Sequence, residues 1–178
     1  MLIFRVGAQR RSLLPIGVLA VCAILGCATG SFEGSVFRDS ETAYRVGPLD
    51  PRWHRFDLSD ANLAFHDDAG GTILANAFCS DISDVPLDVL TNQALMGLEQ
   101  KQETAREVVT LDGRSALKTR LSATLDGVPV DLELVVTKKD GCTYDFELVT
   151  GTSGQTFADR EPGFWQFVEG FQQLPKVN

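Results

Sequence analysis

Apolar and polar residues alternate with a period of two through the middle of the chain, the spacing of a strand with one buried face. Leu117, Thr119, Leu121, Ala123 and Leu125 alternate with Lys118, Arg120, Ser122 and Thr124. Asp126-Gly127 follows, a dipeptide suited to a two-residue hairpin turn. Val128, Val130, Leu132, Leu134 and Val136 then form a returning apolar set. With the turn as register, Leu125 meets Val128, Ala123 meets Val130 and Leu121 meets Leu132. On the other face Arg120 falls opposite Glu133, a favourable cross-strand charge pair. Lys139-Asp140-Gly141 marks the next turn. A two-residue loop there sets Val136 against Asp145. A three-residue loop with Gly141 left-handed sets Val136 against Tyr144 and Leu134 against Phe146, so the pattern predicts the longer loop. That loop also places Cys142 on the apolar face. Asp112-Gly113 predicts one more turn, bringing a strand over 103–111 into the same meander.

Shorter strands are predicted over 52–58, 61–66 and 72–79, with a turn at His66-Asp67-Asp68-Ala69-Gly70-Gly71 between the last two. Ser83-Asp84 offers N-cap oxygens, and Pro86 suits a first helical turn. Leu87, Leu90, Ala94 and Leu98 continue at helical spacing, which predicts an amphipathic helix of about four turns. A second helix starts near Asp159 and Pro162, with Phe164, Phe167, Val168, Phe171 and Leu174 as its apolar stripe. Such a stripe is far more often core than a partner-binding face. The expected fold is α+β: an antiparallel sheet of about six strands, built of meander hairpins and covered by two helices.

The first 26 residues read differently. Arg5, Arg10 and Arg11 precede an uncharged apolar run over residues 13–25, too short for the ~20 residues that span a bilayer. Small residues follow, as a secretory signal requires. Ala23-Ile24-Leu25-Gly26-Cys27 resembles a bacterial lipobox, departing from its usual form at Ile24, where Leu is common. The resemblance implies a signal peptide over residues 1–26, cleavage before Cys27, and a diacylglycerol thioether on Cys27. It also implies a membrane anchor and an envelope location facing the periplasm or exterior, by default the outer membrane where the cell has one. An uncleaved anchor helix would tether the domain outside the inner membrane equally. Residues 27–42 are small and polar and read as a flexible tether, leaving 43–175 as a single domain.

Of four cysteines, Cys22 leaves with the signal and Cys27 carries lipid. Cys79 and Cys142 remain in an oxidising compartment, the count for one disulfide. Beyond residue 26, 13 basic groups stand against 24 acidic ones, a net of −11. A body this acidic repels phosphate backbones, so no nucleic-acid partner is expected. The metal candidates are His54, His66 and Asp67, fewer than zinc requires unless the fold joins them. Gly-x-Ser-x-Gly, Asp-x-Asp-x-Asp-Gly and Gly-Lys-Ser/Thr motifs are all missing from the sequence, so neither a catalytic constellation nor a cofactor is expected.

Tyr44-Arg45-Val46, Trp53, the Leu111-Asp112-Gly113 turn and Phe164-Trp165-Gln166-Phe167-Val168-Glu169-Gly170-Phe171 resemble the PsbP-like fold, over roughly residues 44–175. Photosystem assembly proteins, a Ran-binding nuclear import factor and the bacterial lipoprotein DcrB share that fold. The resemblance implies a non-catalytic scaffold that binds proteins, and it transfers no site residue. The expected role is a membrane-anchored envelope lipoprotein that binds another envelope protein. The alternative is a periplasmic module for a small molecule or metal.

Overall fold

The computed structural model describes residues 30–80, 84–152 and 157–175. In chain order the elements are β1 (Ser31–Glu33), β2 (Val36–Arg38), β3 (Ala43–Arg45), β4 (His54–Phe56), β5 (Leu63–His66), β6 (Thr72–Cys79), α1 (Leu87–Ala94), β7 (Glu99–Leu111), β8 (Arg114–Leu125), β9 (Val128–Lys139), β10 (Cys142–Gly151), α2 (Glu161–Glu169) and β11 (Gln172–Gln173). A seven-stranded sheet has the order β4-β5-β6-β10-β9-β8-β7, and a four-stranded sheet the order β1-β2-β3-β11. Every strand pairing among the described residues is antiparallel.

Asp-Gly punctuates the whole meander. Asp112-Gly113, Asp126-Gly127 and Asp140-Gly141 each combine a positive-φ Asp with a positive-φ Gly. This is the type I′ geometry that matches the right-handed twist of the strands it joins. The β8–β9 register is the one read from sequence: Leu125 pairs with Val128, Ala123 with Val130, Leu121 with Leu132 and Arg120 with Glu133. The two charged residues take other ionic partners, however. Arg120 lies 3.5 Å from Glu161 and Glu133 lies 3.8 Å from Lys118.

The third turn corrects the sequence reading. Cys142 pairs with Lys139, so Asp140-Gly141 is a two-residue loop and Val136 stands opposite Asp145. The three-residue loop follows only if the sheet has one apolar face, and this sheet has two. Ala75, Val135, Tyr144, Phe146 and Leu148 face α2 and the small sheet, where Tyr44, Phe164, Phe167 and Phe171 complete the core. Leu121, Leu132, Leu134 and Val136 face the opposite way and pack on Leu90 and Leu95, from α1 and its C-terminal edge.

Three further expectations change. Residues 31–38 are not tether: β1 and β2 form a hairpin, and Phe37 is buried with its ring 5.2 Å from Tyr44. Their small, polar composition masked the aromatic positions Phe32 and Phe37. Helix α1 stops at Ala94 rather than running to Leu98, because Gly97 takes φ +91° and β7 begins two residues later. No side chain caps its N-terminus, which Pro86 begins. Phe171 and Leu174 lie beyond α2. Phe171 still enters the core, while the Leu174 N–H donates to the Ala43 carbonyl at 2.9 Å.

Helix α2 docks through glycine. The Gly47 N–H donates to the Phe167 carbonyl at 2.8 Å, and a Cβ on Gly47 would collide with the Gln166 backbone. Only a residue without a side chain lets the two backbones approach this closely.

Candidate functional site

The register of β4 and β5 sets His54 directly opposite His66, with ring centroids 5.8 Å apart and both side chains exposed. Phe56 meets the His66 ring edge-on at 5.5 Å. Asp67 does not join them. It is buried, its Oδ2 accepts from Arg160 Nε at 2.7 Å, and its Oδ1 accepts from the Ala69 and Gly71 N–H groups. Burial alone would raise the Asp67 pKa, but these bonds and the Arg160 charge hold it below its ordinary value. Among the described residues no three His, Cys, Asp or Glu side chains cluster as a metal site. Cys27 and the lipobox lie outside the described residues.

Cys79 and Cys142 form a disulfide at directly paired positions of β6 and β10. It pins together the strand ends that carry Phe78 and Thr143. Those two residues belong to a cleft of about 430 Å³ between α1 and the sheet. The volume falls in the ~300–1,000 Å³ range of small-molecule sites. Leu90, Gln93 and Ala94 of α1 form one wall with Met96 just beyond the helix, and Phe78 stands on the other side. Val136, Thr143 and Asp145 form the floor. The apolar rim is open to solvent, with Phe78 56 % and Met96 70 % exposed.

The floor is polar and mostly withdrawn from water. Asp145 is 5 % exposed, and its Oδ2 accepts from Asn76 Nδ2 at 2.8 Å. Asn76 is itself held, since its Oδ1 accepts from the Asn62 N–H while Asn62 Oδ1 accepts from the Ala77 N–H. This two-asparagine clasp between β6 and the β4–β5 connection fixes the carboxyl's orientation. Burial raises the Asp145 pKa, and the Asn76 bond opposes the rise. Thr143 is also buried, and its Oγ1 has no hydrogen-bond partner among the described residues. Glu147, two residues along the same face, is partly buried. Burial and then the Asp145 charge push its pKa up to about 7. Composition conceals these residues, because Asp145 and Glu147 alternate with Tyr144, Phe146 and Leu148 like any strand with a wet face.

A second buried acid lies on the other side of the sheet. Glu133 is fully buried beneath α2, its pKa raised by burial against the pull of Lys118. Lys118 itself sits over the Trp165 ring at 4.7 Å. The group is sealed by packing and belongs to the attachment of α2.

No family model matches the chain, and no curated protein matches it. Solved structures do. Cyanobacterial PsbP (CyanoP) from Synechocystis sp. PCC 6803 aligns at 17 % identity and TM-score 0.57, over 89 % of this chain and all of its own. The fold is PsbP-like. LpqN, described as involved in cell envelope biogenesis of Mycobacterium tuberculosis, aligns at 15 % identity and TM-score 0.55, over 75 % of this chain and 86 % of its own. Identities this low carry the PsbP-like fold and no residue roles. Among the described residues of this PsbP-like chain, no helix is long and apolar enough to cross a membrane.

Proposed function

We propose that this chain is a non-catalytic binding protein of the cell envelope, anchored through lipid on Cys27, whose α1 cleft holds a small molecule with an apolar body. The concave, solvent-open apolar cleft carries this reading. A cleft of that shape fits a ligand, whereas a flat patch would favour a protein contact. The cleft lining offers two hydroxyls, Ser80 and Thr143, the Gln93 amide and the Asp145 carboxyl, without an imidazole, which favours binding over turnover. Since β1 begins at Ser31, three residues separate Cys27 from the folded unit. At ~3.5 Å per residue they hold the domain within roughly 15 Å of the bilayer. Metabolic labelling with a radioactive fatty acid tests the anchor: the wild type incorporates label and Cys27→Ser does not, and equal labelling removes the anchor.

The cleft is tested with the neutral dye N-phenyl-1-naphthylamine. Saturable binding is expected for the wild type and none for Ala94→Trp, which fills the cleft from an exposed helix position. Binding equal in both proteins, or in neither, refutes the proposal. A protein partner is the second reading, favoured by β7. This strand is the outer edge of the seven-stranded sheet, exposed along most of its length, with Val108 70 % exposed. Its charged residues Glu99, Lys101, Glu103, Arg106 and Glu107 are what natural edges use to resist strand addition. The ligand reading therefore ranks first.

A further inference from the structure

Resting on the cleft reading above, we infer that the ligand is a cationic amphiphile: a single apolar chain lying against Phe78, Leu90 and Met96, with an ammonium head seated at Asp145 and Thr143. The charge balance of the floor points there. Asp145 is a nearly fully buried carboxyl whose described partner is a neutral amide, and Asn76 orients the group without balancing its charge. No ion pair among the described residues reaches Asp145 or Glu147. Of the cations on this side of the sheet, Lys138 directs its Nζ to the Val85 carbonyl at 2.6 Å, Lys101 its Nζ to the Leu95 carbonyl at 3.0 Å, and Arg106 a guanidinium nitrogen to Asn92 Oδ1 at 3.4 Å. A carboxylate withdrawn from water without a counter-charge is costly, and a ligand cation removes that cost on binding.

Thr143 supplies an independent observation. Its Oγ1 is buried with no partner among the described residues, as are those of Thr91, Thr119 and Thr150, and of these four Thr143 is the one that lines the cleft. An ammonium carries three donors. It can give one to the Thr143 hydroxyl and another to the Asp145 carboxylate, satisfying both floor groups together. The other head groups fail on the same floor. A carboxylate or phosphate head meets an acid of its own sign at Asp145. A hydroxyl head meets Thr143 and leaves the charge of Asp145 unbalanced. The apolar rim adds the second requirement, because a small hydrophilic amine leaves Phe78 and Met96 uncovered.

The test uses three decyl probes below their aggregation limits: decylammonium, 1-decanol and decanoate. Each displaces N-phenyl-1-naphthylamine from the disulfide-intact protein. Decylammonium is expected to bind at least about tenfold tighter than decanol, the scale of one charge-assisted hydrogen bond, with decanoate weakest. Asp145→Asn should abolish most of that preference. Thr143→Val, nearly isosteric, should weaken decylammonium by about tenfold, the scale of one hydrogen bond from a charged donor. The wild-type ranking decides the matter even where a variant fails to fold. Decanol or decanoate binding as tightly as decylammonium overturns the cationic head while leaving the cleft reading intact. Displacement by none of the three probes, together with dye binding that Ala94→Trp does not affect, overturns both.

Discussion

Replacing Glu147 with glutamine is expected to stabilise the domain near pH 8 and to leave its stability unchanged below about pH 4.5. The carboxyl's pKa is lifted from an ordinary 4.5 to about 7, by burial first and by the Asp145 charge second. The folded state therefore holds this proton more tightly than the unfolded chain does. Below pH 4.5 both states keep the proton and the group is neutral in its effect. Between about 4.5 and 7 the unfolded chain releases it first, so stability falls as pH rises. Above 7 both states are ionised and the loss is complete. At about 1.4 kcal/mol per pH unit the full span is about 3 kcal/mol. Water reaching the partly buried side chain trims this to about 2 kcal/mol. Glutamine keeps the shape of the protonated acid and escapes the loss. Urea unfolding of wild type and Glu147→Gln across pH 4.5 to 8, with the disulfide intact, measures the difference. A stability difference independent of pH refutes the reasoning, and so does a variant less stable than wild type at pH 8. In an Asp145→Asn background the pH-dependent gap should narrow, since the second cause of the shift is gone.

Asp67→Ala should cost about 3–5 kcal/mol at neutral pH, because it removes the carboxylate that faces the buried Arg160 guanidinium at 2.7 Å. The folded Asp67 pKa lies below the ordinary 3.8, so its contribution is complete above that pH and is lost as pH falls through the lower folded value. An acid titration of stability, compared with Asp67→Ala, checks both points. The double change Cys79→Ala and Cys142→Ala opens a loop with a sequence separation of 63 and should lower the unfolding free energy by about 4 kcal/mol, read by urea denaturation. A loss under ~1 kcal/mol would mean the sheet register already holds those strands without the bond. Gly47→Ala should destabilise by about 1–3 kcal/mol, as its methyl group meets the Gln166 backbone. Gly163→Ala in α2, with nothing nearer than 3.9 Å to its new Cβ, should instead gain about 0.4–1 kcal/mol. Thermal melts of the two variants should shift in opposite directions.

What the sequence discloses and what it hides have one physical origin. The type I′ turns are legible because positive φ at two successive residues demands a particular residue pair. The β8–β9 register follows because a one-residue slip would turn every Leu and Val of Leu121–Leu132 and Ala123–Val130 to the wrong face. The cleft floor is hidden because alternation reports only that two faces differ, never what covers each. Asp145 and Glu147 look like solvent-facing residues until α1 is known to pack over β8 and β9 on that same face. The histidines show the same limit in reverse. His54 and His66 lie 12 positions apart in sequence and meet across β4 and β5, while Asp67, adjacent to His66, turns inward to Arg160. Proximity along a chain is a poor guide to a ligand set where neighbours point to opposite sides. The third turn then becomes informative. Asp140-Gly141 repeats the dipeptide of the two turns before it, so local chemistry favours the two-residue loop. The objection to that loop is the pairing of Val136 with Asp145, an apolar residue against an acid. Turn chemistry and face pairing conflict at this one step of the meander, and both residues prove to line the cleft floor. Local consistency is expected to fail where a fold spends stability on a site, and the mismatch is therefore the strongest mark of that site in the sequence.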